Sequence, residues 1–525
     1  MVINMNLIEL NGDNFLEQIT KYGYFSESIP KCFSTEDFSI HSKEMLSALS
    51  GKCVSQPTKL SIYKNDVSRR VLSIPNPESF LKLCGYMKEE WENIKRFAES
   101  ENSLSSITYI INNPYDINSQ VEYLNSESLR EAKKLKSNYI DGVNKNTMVS
   151  LGYQFQLKVD IANCYNSIYT HSITWAICGK ETAKNEFKDK NLRTNDYKIG
   201  DKLDTYLRHQ KNNETNGIVV GPFTSRIFSE IILSGIDREL RTAGFVFTRF
   251  VDDYSFYFKT QYDAESSVQK IERILNEYNL NLNLAKTKIN RFPYIIYSEM
   301  KELYKLAYNE KGWLGVLSEA GKQHNNGEKG AYKYALKFLR DKDFNVDDLK
   351  LIIPNLINIM ILEPKYGKYI IDLIKTNNIK FVDIDLNNVI NNELKDSIKD
   401  NRQQETLIYF YMIRELGLTL SSENLRKILT KDDDLSILIA LDLWKNFKNL
   451  ISKSPYDTRL VNESLTAFCV SLKNEGFDGN RWLLLYELEK GDLIDSKFYT
   501  GHGNLTSFFE KMKTKNICFY SRIQN

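Results

Sequence analysis

The spacing of apolar and polar residues changes near residue 300. Between about residues 150 and 300, short alternating segments are mixed with segments of helical spacing, which is typical of an α/β domain. In the segment FQLKVDIANCY, Phe155, Leu157 and Val159 alternate with polar residues and lead to Asp160. This alternation predicts a half-buried strand that ends at Asp160.

A second pattern, FVFTRFVDDYSFYF at residues 245–258, predicts a β-hairpin. Two aromatic-rich alternating runs flank Val251, Asp252 and Asp253, and acidic residues are common in such turns. Residues 217–233 (GIVVGPFTSRIFSEIIL) combine glycines and a proline with a following apolar helix face. Glycines before a helix allow the backbone to approach a base or a phosphate, although a simple loop before a helix has the same pattern.

Beyond residue 300, apolar residues recur at spacings of three and four, which predicts helices. The clearest example is DLKLIIPNLINIMIL at residues 348–362. We therefore expect two domains, an α/β domain at residues 1–300 and an all-α domain at residues 301–525. The rough recurrence of the helices favours a helical-repeat (HEAT-like) solenoid, and an irregular helical bundle is the alternative.

The composition is that of a globular protein, with 42% hydrophobic and 26% charged residues. The N-terminus does not resemble a signal peptide and no run of about 18 apolar residues occurs, so a cytoplasmic location without membrane contact is expected. The seven cysteines are scattered and odd in number, which argues against a disulfide framework or a zinc site. A net charge of only +2 indicates that any contact with nucleic acid is local or that the bound strand is short.

Asp160 and Asp252 are the candidate ligands of a divalent metal site. Phosphoryl transfer from a nucleoside triphosphate commonly uses two divalent ions about 4 Å apart, held by hard oxygen ligands on rigid strands. The two aspartates are 92 residues apart, which leaves room for a helical crossover between neighbouring strands. Lys286 follows an amphipathic helix and could neutralise phosphate or protonate a leaving pyrophosphate. Each residue alone is more often an ordinary cap, turn or surface residue.

Taken in order, four segments resemble motifs A to D of the reverse-transcriptase palm, over about residues 155–292. VDIANCY at residues 159–165 resembles motif A, with Asp160 as the metal ligand. In that motif Tyr165 stands at the position that excludes a ribose 2′-hydroxyl. GIVVGPFTS at residues 217–225 resembles motif B, with Gly221 and Ser225 at its glycine and serine.

FVDD at residues 250–253 resembles the motif C hairpin, and AKT at residues 285–287 resembles motif D with Lys286 as its lysine. The resemblance implies that Asp160, Asp252 and the backbone carbonyl of Ile161 hold two Mg²⁺ ions, or Mn²⁺, assisted by Asp253. A basic segment nearer the N-terminus resembles the fingers segment that contacts the incoming triphosphate: Lys64, Arg69 and Arg70.

A narrower similarity is to the abortive-infection (Abi) reverse transcriptases, the AbiK-like group of phage-defence polymerases. It is carried by YGYFSESI at 22–29, NCYNSIYTHSITWAICGK at 163–180 and RWLLLYELEKG at 481–491. The resemblance implies a bacterial cytoplasmic, prophage-encoded protein with reverse-transcriptase palm and fingers followed by a helical-repeat domain. It also implies homo-oligomers that polymerise deoxynucleoside triphosphates without a template, leaving single-stranded DNA covalently attached to a protein hydroxyl.

One departure from ordinary reverse transcriptases lies in motif B, where Val219 and Val220 replace the usual Pro-Gln. The glutamine helps to position nucleotide and template, so its absence weakens the case for templated copying. The priming hydroxyl cannot be assigned among 31 tyrosines, and Tyr22, Tyr24 and Tyr63 are candidates only because they lie in the N-terminal part.

Two other functions remain open at this point. The first is a templated, RNA-directed DNA polymerase of the retron or intron type. The second is a helical scaffold protein with an inactive palm, which the presence of both Asp160 and Asp252 disfavours. A palm that makes cyclic nucleotides is more remote, because no Gly-Gly-Asp/Glu-Glu-Phe segment is present.

Overall fold

The N-terminal part of the chain combines helices with a two-stranded hairpin. The computed structural model describes residues 11–49, 51, 53–65, 67–105, 144–294, 300–328, 330–340, 342, 344, 346–376, 385–446, 455–491, 493–499, 501 and 505–523. The first elements are α1 (Gly12–Lys21), α2 (Glu36–Met45), β1 (Thr58–Asn65), β2 (Ser68–Ile74), α3 (Pro77–Glu89) and α4 (Trp91–Phe97). Asn76 caps α3 by accepting a hydrogen bond from the backbone N–H of Glu78, and Pro77 occupies the first turn.

A four-stranded antiparallel sheet with helices packed on it follows. Its elements are β3 (Phe155–Asp160), α5 (Cys164–Ser167), α6 (Ser172–Cys178), α7 (Lys180–Lys188), α8 (Asn195–His209), α9 (Phe223–Thr242), β4 (Phe247–Phe250), β5 (Asp253–Phe258), α10 (Gln261–Glu277) and β6 (Lys288–Arg291). The strand order is β4-β5-β3-β6, so β3 is a central strand. The strand ending at Asp160 and the hairpin around Asp252 are both confirmed.

The core of this α/β part lies between the sheet and its helices. Leu157 of β3 and Phe256 of β5 are fully buried, as are Phe228 and Ile231 of α9. The helix α10 packs against β3, β5 and β6. Alternate residues of a strand face opposite sides, so the apolar set of β3 is fixed toward this core while Asp160 remains at the strand end.

From residue 300 onward, the described residues form helices and, apart from an isolated bridge at Tyr520, no strand pairing. The helices are α11 (Met300–Asn325, kinked at Lys311 and Gly312), α12 (Ala331–Arg340), α13 (Val346–Leu362), α14 (Gly367–Thr376), α15 (Leu386–Lys399), α16 (Gln403–Leu416), α17 (Ser422–Ile428), α18 (Asp434–Asn446), α19 (Pro455–Ser471), α20 (Trp482–Glu489) and α21 (Ser507–Thr514).

Eight of these helices pack in two rows. The helices α12, α14, α16, α18 and α20 contact one another in succession, and α15, α17 and α19 form a second row beside them. The predicted helices are therefore present, and consecutive even-numbered helices are neighbours. No described helix has the length and apolar character needed to cross a lipid bilayer.

The helical part is packed directly onto the N-terminal part. Tyr24 and Phe38 of the N-terminal part pack against Phe519, which also lies edge-on to Trp482 of α20. The N-terminus of α16 lies against β1, where the backbone N–H of Ser61 donates to the side chain of Gln403 at 2.6 Å. The hairpin β1–β2 is thus held from the C-terminal side of the chain.

Candidate active site

Asp160 and Asp252 are brought together at one end of the sheet. Asp160 is the last residue of β3, and its cross-strand partner on β5 is Asp253. Residues directly opposite in an antiparallel pair have Cβ atoms about 5 Å apart, and Asp252 is the turn residue next to that partner. Burial raises the pKa of Asp252 above its usual value, and the charge of Asp160 raises it further. The two carboxylates therefore share one electrostatic environment.

Asp253, the second acidic residue of the turn, has a different setting. It begins β5, and its side chain is exposed, whereas Asp252 is partly buried. Asp253 is the strand residue directly opposite Asp160, and Asp252 precedes it in the turn.

Two side chains from the segment before β6 hold Asp160. The Nζ of Lys286 lies 3.1 and 3.0 Å from the two carboxylate oxygens of Asp160. The Nδ2 of Asn283 donates to Oδ2 of Asp160 at 2.9 Å, and its backbone N–H donates to the carbonyl of Asp160 at 2.8 Å. Asn283 was not identified from the sequence, because an asparagine before a turn is usually a local backbone partner.

The donor set fits a divalent cation whose remaining ligands come from a substrate or from water. Ile161 lies opposite Leu282 in an isolated antiparallel bridge on one side of β3. The hydrogen bonds of this bridge are made by the neighbouring peptide groups and not by that of Ile161 itself. Peptide groups alternate in direction along a strand, so the carbonyl of Ile161 points to the opposite edge, toward the hairpin of Asp252. The ammonium group of Lys286 lies against both oxygens of Asp160, so this carboxylate already has a positively charged partner.

Within the described ranges, no cluster of three or more histidine, cysteine, aspartate or glutamate side chains is arranged to hold a metal ion. A site at Asp160 and Asp252 would therefore have two carboxylates, the carbonyl of Ile161 and oxygens from outside the protein. Mg²⁺ usually binds in this way, through one or two carboxylates together with substrate phosphates.

Tyr165 lies beside the acidic pair. The residue is partly buried, and burial raises the pKa of its hydroxyl; the charges of Cys164 and Asp252 act in the same direction, while Arg226 opposes them. The carbonyl of Tyr165 accepts a hydrogen bond from the backbone N–H of Ile218 at 3.0 Å. The residue is thereby attached to the loop that contains Gly221.

Arg226, in the first turn of α9, is a second basic residue near this group. Its Nε is buried and has no hydrogen-bond partner among the described residues, and its guanidinium lies 5.5 Å from the ring of Phe223. A buried donor without a partner is unfavourable unless a ligand or water satisfies it. Sequence reasoning did not identify Arg226, although it directly follows Ser225 in the motif B segment.

Gly221 joins the loop before α9 to the β1–β2 hairpin. Its φ is +142°, and a Cβ at this position would be only 2.8 Å from the carbonyl oxygen of Ser73. The backbone N–H of Ser73 donates to the carbonyl of Val220 at 2.7 Å. The hydroxyl of Ser225 donates to the carbonyl of Val219 within the same loop. Gly221 and Ser225 therefore shape the loop and hold it against β2.

The basic residues of the β1–β2 hairpin are not all directed to the acidic pair. The charge of Arg70, an exposed residue, acts on Asp252 and lowers its pKa, against the larger effect of burial. Lys64 is exposed near the turn, at an irregularity of the pairing between Tyr63 and Asn65. Arg69 instead forms a bidentate ion pair with Glu405 of α16, at 2.9 and 2.6 Å.

Of the tyrosines considered as primers, Tyr24 is unsuitable in this conformation. It is 0% exposed, and its hydroxyl donates to the carbonyl of Pro75 at 2.7 Å. Its ring stacks on Phe80 at a centroid distance of 4.2 Å. Tyr22 has an exposed fraction of 36%, and Tyr63 is half-buried on β1. The similarity in YGYFSESI therefore includes a core residue.

Comparison with known families identifies the domain that carries this site. Residues 107–318 match the sequence model described as reverse transcriptase (RNA-dependent DNA polymerase), so this part of the chain is similar to a reverse-transcriptase domain. The matched residues include every member of the acidic and basic group described above except those of the β1–β2 hairpin. No curated protein sequence matches the chain.

Solved structures that resemble the chain include telomerases from Candida. Telomerase of Candida albicans with a TWJ fragment of telomeric RNA is 14% identical with a TM-score of 0.25, over 73% of this chain and 66% of that one. A truncated apo telomerase of Candida tropicalis is 16% identical with a TM-score of 0.29, over 51% and 57% of the two chains. The longer apo telomerase of Candida tropicalis is 16% identical with a TM-score of 0.27, over 83% of this chain and 77% of that one. At these TM-scores the superpositions carry no functional argument.

Proposed function

We propose that this protein is a divalent-metal-dependent DNA polymerase that uses a protein hydroxyl as primer, works without a template and acts in abortive-infection defence against phage. The observation that carries the catalytic part is the meeting of Asp160 and Asp252 at adjacent strand ends, with Lys286 paired to Asp160 and the charge of Arg70 acting on Asp252. This arrangement combines hard oxygen ligands for cations with positive charge for phosphates.

The residues of the chain have distinct roles in this proposal. Asp160, Asp252 and the carbonyl of Ile161 would hold two Mg²⁺ ions, or Mn²⁺, which would polarise the triphosphate and activate the attacking hydroxyl. Lys286 is close enough to transfer from Asp160 to a phosphate oxygen when cations bind, because an ammonium and a divalent ion compete for one carboxylate. Asp253 assists from the start of β5.

The remaining site residues would position the deoxynucleoside triphosphate. Tyr165 would present its partly buried ring where a ribose 2′-hydroxyl would otherwise lie. Gly221 and Ser225 shape the loop under the base. Arg70 and Lys64 contribute positive charge from the β1–β2 hairpin, and Arg226 offers a guanidinium donor beside Tyr165.

The test of catalysis is Asp252→Asn, which removes one charge at constant size. We expect nucleotide incorporation to fall by at least about a thousandfold, since one cation ligand is lost from the reacting centre. Asp263→Asn, on the exposed first turn of α10, is the matched control and should leave incorporation unchanged. Incorporation by Asp252→Asn at the wild-type rate would remove the assignment.

Priming and template use require a separate measurement. In the proposed mode, labelled DNA remains with the protein after denaturation and phenol extraction, and protease releases it. DNA that separates freely from denatured protein would contradict protein priming. Product sequences that are complementary to an added RNA would support the alternative, a templated polymerase of retron or intron type, which the RNA-dependent description of the matched family favours.

The defence role rests on the resemblance to Abi reverse transcriptases. On the same resemblance we propose that the protein is bacterial and cytoplasmic and forms homo-oligomers, and that the helices from residue 300 onward form a HEAT-like repeat domain. Plaque counts on cells that carry the wild type or Asp252→Asn test this role. Equal phage yields with the two proteins would contradict a polymerase-dependent defence.

A further inference from the structure

Arg249 is a fully buried arginine three residues before Asp252. It lies on β4, is 0% exposed, and contacts two carboxylates of α9 that are also buried. Its Nη1 and Nη2 donate to the two oxygens of Glu230 at 3.0 and 2.9 Å. Its Nε and Nη2 donate to Asp237 at 3.1 and 2.7 Å. A buried charge requires such compensation, so the group forms one satisfied network.

The guanidinium has one further acceptor, and it belongs to the active-site turn. Nη1 of Arg249 donates to the carbonyl of Val251 at 2.9 Å. Val251 has a φ of +56°, in the left-handed region that β-branched residues rarely adopt. A residue in this conformation persists only when its surroundings stabilise it, and the hydrogen bond from Arg249 is a direct stabilising contact.

We infer that Arg249 is a positioning residue for Asp252: with Glu230 and Asp237 it fixes the turn at Val251, so that the next residue, Asp252, faces Asp160. The inference rests on the proposed function, because the role of the turn is to hold a divalent cation for nucleotidyl transfer. Arg249 itself would touch neither substrate nor cation.

The segment at residues 100–105 completes the network. The hydroxyl of Ser100 donates to Asp237 at 2.6 Å, and that of Ser105 donates to Glu230 at 3.1 Å. The hydroxyl of Tyr254 on β5 also donates to Asp237, at 3.1 Å. Both carboxylates are therefore held from a second side, and the guanidinium cannot shift without breaking several hydrogen bonds.

The backbone of Arg249 is held by the same segment. Its N–H donates to the carbonyl of Asn102 at 2.8 Å, and its carbonyl accepts from the N–H of Leu104 at 2.7 Å. Arg249 is thus fixed along β4 as well as at its side chain. A lysine, with one point charge, could not reach both carboxylates and the carbonyl of Val251 together.

A merely structural ion network makes a different prediction from a positioning network. Loss of a structural contact lowers overall stability and leaves the folded fraction with normal chemistry. Loss of a positioning contact changes the turn, the affinity for the cation and kcat in protein that is still folded. The KM for the nucleotide should change little, because the phosphate-binding residues lie elsewhere.

The experiment compares the wild type with Arg249→Lys. Arg208→Lys is the matched control, since Arg208 pairs with the buried Asp204 in α8, which packs against α3 and α6. A triple variant, Arg249→Met with Glu230→Gln and Asp237→Asn, removes the guanidinium together with both buried charges. It keeps the test decisive if Arg249→Lys fails to fold.

Three quantities are measured in folded protein: hydrogen exchange of residues 249–254, Mn²⁺ affinity by electron paramagnetic resonance, and steady-state incorporation. We expect faster exchange in this turn for Arg249→Lys and the triple variant, and Mn²⁺ binding weakened by about tenfold or more. We expect kcat to fall by about 10- to 100-fold, with KM for the nucleotide changed by less than about threefold. Arg208→Lys should show none of these changes.

Failure of the inference and failure of the proposed function give different results. If the wild type binds Mn²⁺ in an Asp252-dependent way but incorporates no nucleotide, the proposed polymerase activity is contradicted. Hydrogen exchange and Mn²⁺ affinity then still test the positioning role of Arg249. Wild-type exchange and Mn²⁺ affinity in Arg249→Lys or in the triple variant would overturn the positioning role. Changes in Arg249→Lys that are no larger than those in Arg208→Lys would also overturn it.

Discussion

Arg69 and Arg70 are adjacent in β2 and have different partners. Arg69 is bound to Glu405, a residue whose side chain is only 4% exposed, and to the side chain and carbonyl of Ser61. Arg70 is exposed, and its charge acts on Asp252. Neighbouring strand residues face opposite sides of a hairpin, so Arg69 faces the helices and Arg70 faces the other side.

We therefore expect Arg70→Ala and Arg69→Ala to differ. Arg70→Ala should lower kcat/KM for the deoxynucleotide by about 10- to 100-fold, the value of one charge-assisted hydrogen bond, mainly through KM. Arg69→Ala should chiefly lower the melting temperature, because it leaves Glu405 without its bidentate partner. Steady-state incorporation and thermal melting of both variants check this. Equal losses of kcat/KM at equal stability would contradict it.

At the scale of secondary-structure elements, the sequence predicted the strands and helices that depend on local patterns. The strand before Asp160, the hairpin around Asp252 and the helix after Ser225 follow from alternation, turn residues and helical spacing. The sequence did not show that β3 lies between β5 and β6. Nor did it show that a segment near Asn283 would hold Asp160, since strand neighbours are set by long-range pairing.

The contact between α16 and the β1–β2 hairpin was also not predictable. The side chains of Gln403 and Gln404 accept hydrogen bonds from backbone N–H groups of β1, and Glu405 holds Arg69. In the sequence these three residues look like an ordinary polar first turn of a helix. The hairpin that carries Arg70 is thus oriented by a helix more than 300 residues away.

At the scale of the whole molecule, the helical part contains a buried acid that makes stability depend on pH. Glu487 is 0% exposed and accepts hydrogen bonds from the backbone N–H groups of Phe519 and Tyr520, at 2.7 and 3.2 Å. Burial raises its pKa from 4.5 to about 7. The folded state therefore favours the protonated acid, and this contribution to stability, full below pH 4.5, is lost as pH rises toward 7.

Glu487→Gln should therefore have a higher free energy of unfolding than the wild type. We expect this difference to grow between about pH 4.5 and 7 and to stay constant above pH 7. The expected gain at the upper end is about 1–3 kcal/mol, since Gln keeps an acceptor for both N–H groups without a charge. Thermal melting from pH 5 to 8 measures it. Glu463→Gln, on an exposed part of α19, should show no such trend. A difference that shrinks with rising pH would contradict the assignment.

The sequence alone determined the α/β and helical segments, the strand that ends at Asp160 and the turn that carries Asp252, because alternation, helical spacing and turn chemistry are local properties. Tertiary structure decided which of the predicted charges meet. It placed Lys286 and Asn283 on Asp160, turned Arg69 to a helix, and buried Arg249 beneath the turn. These contacts join residues far apart in the chain, and their energies depend on burial and distance, which no local pattern encodes.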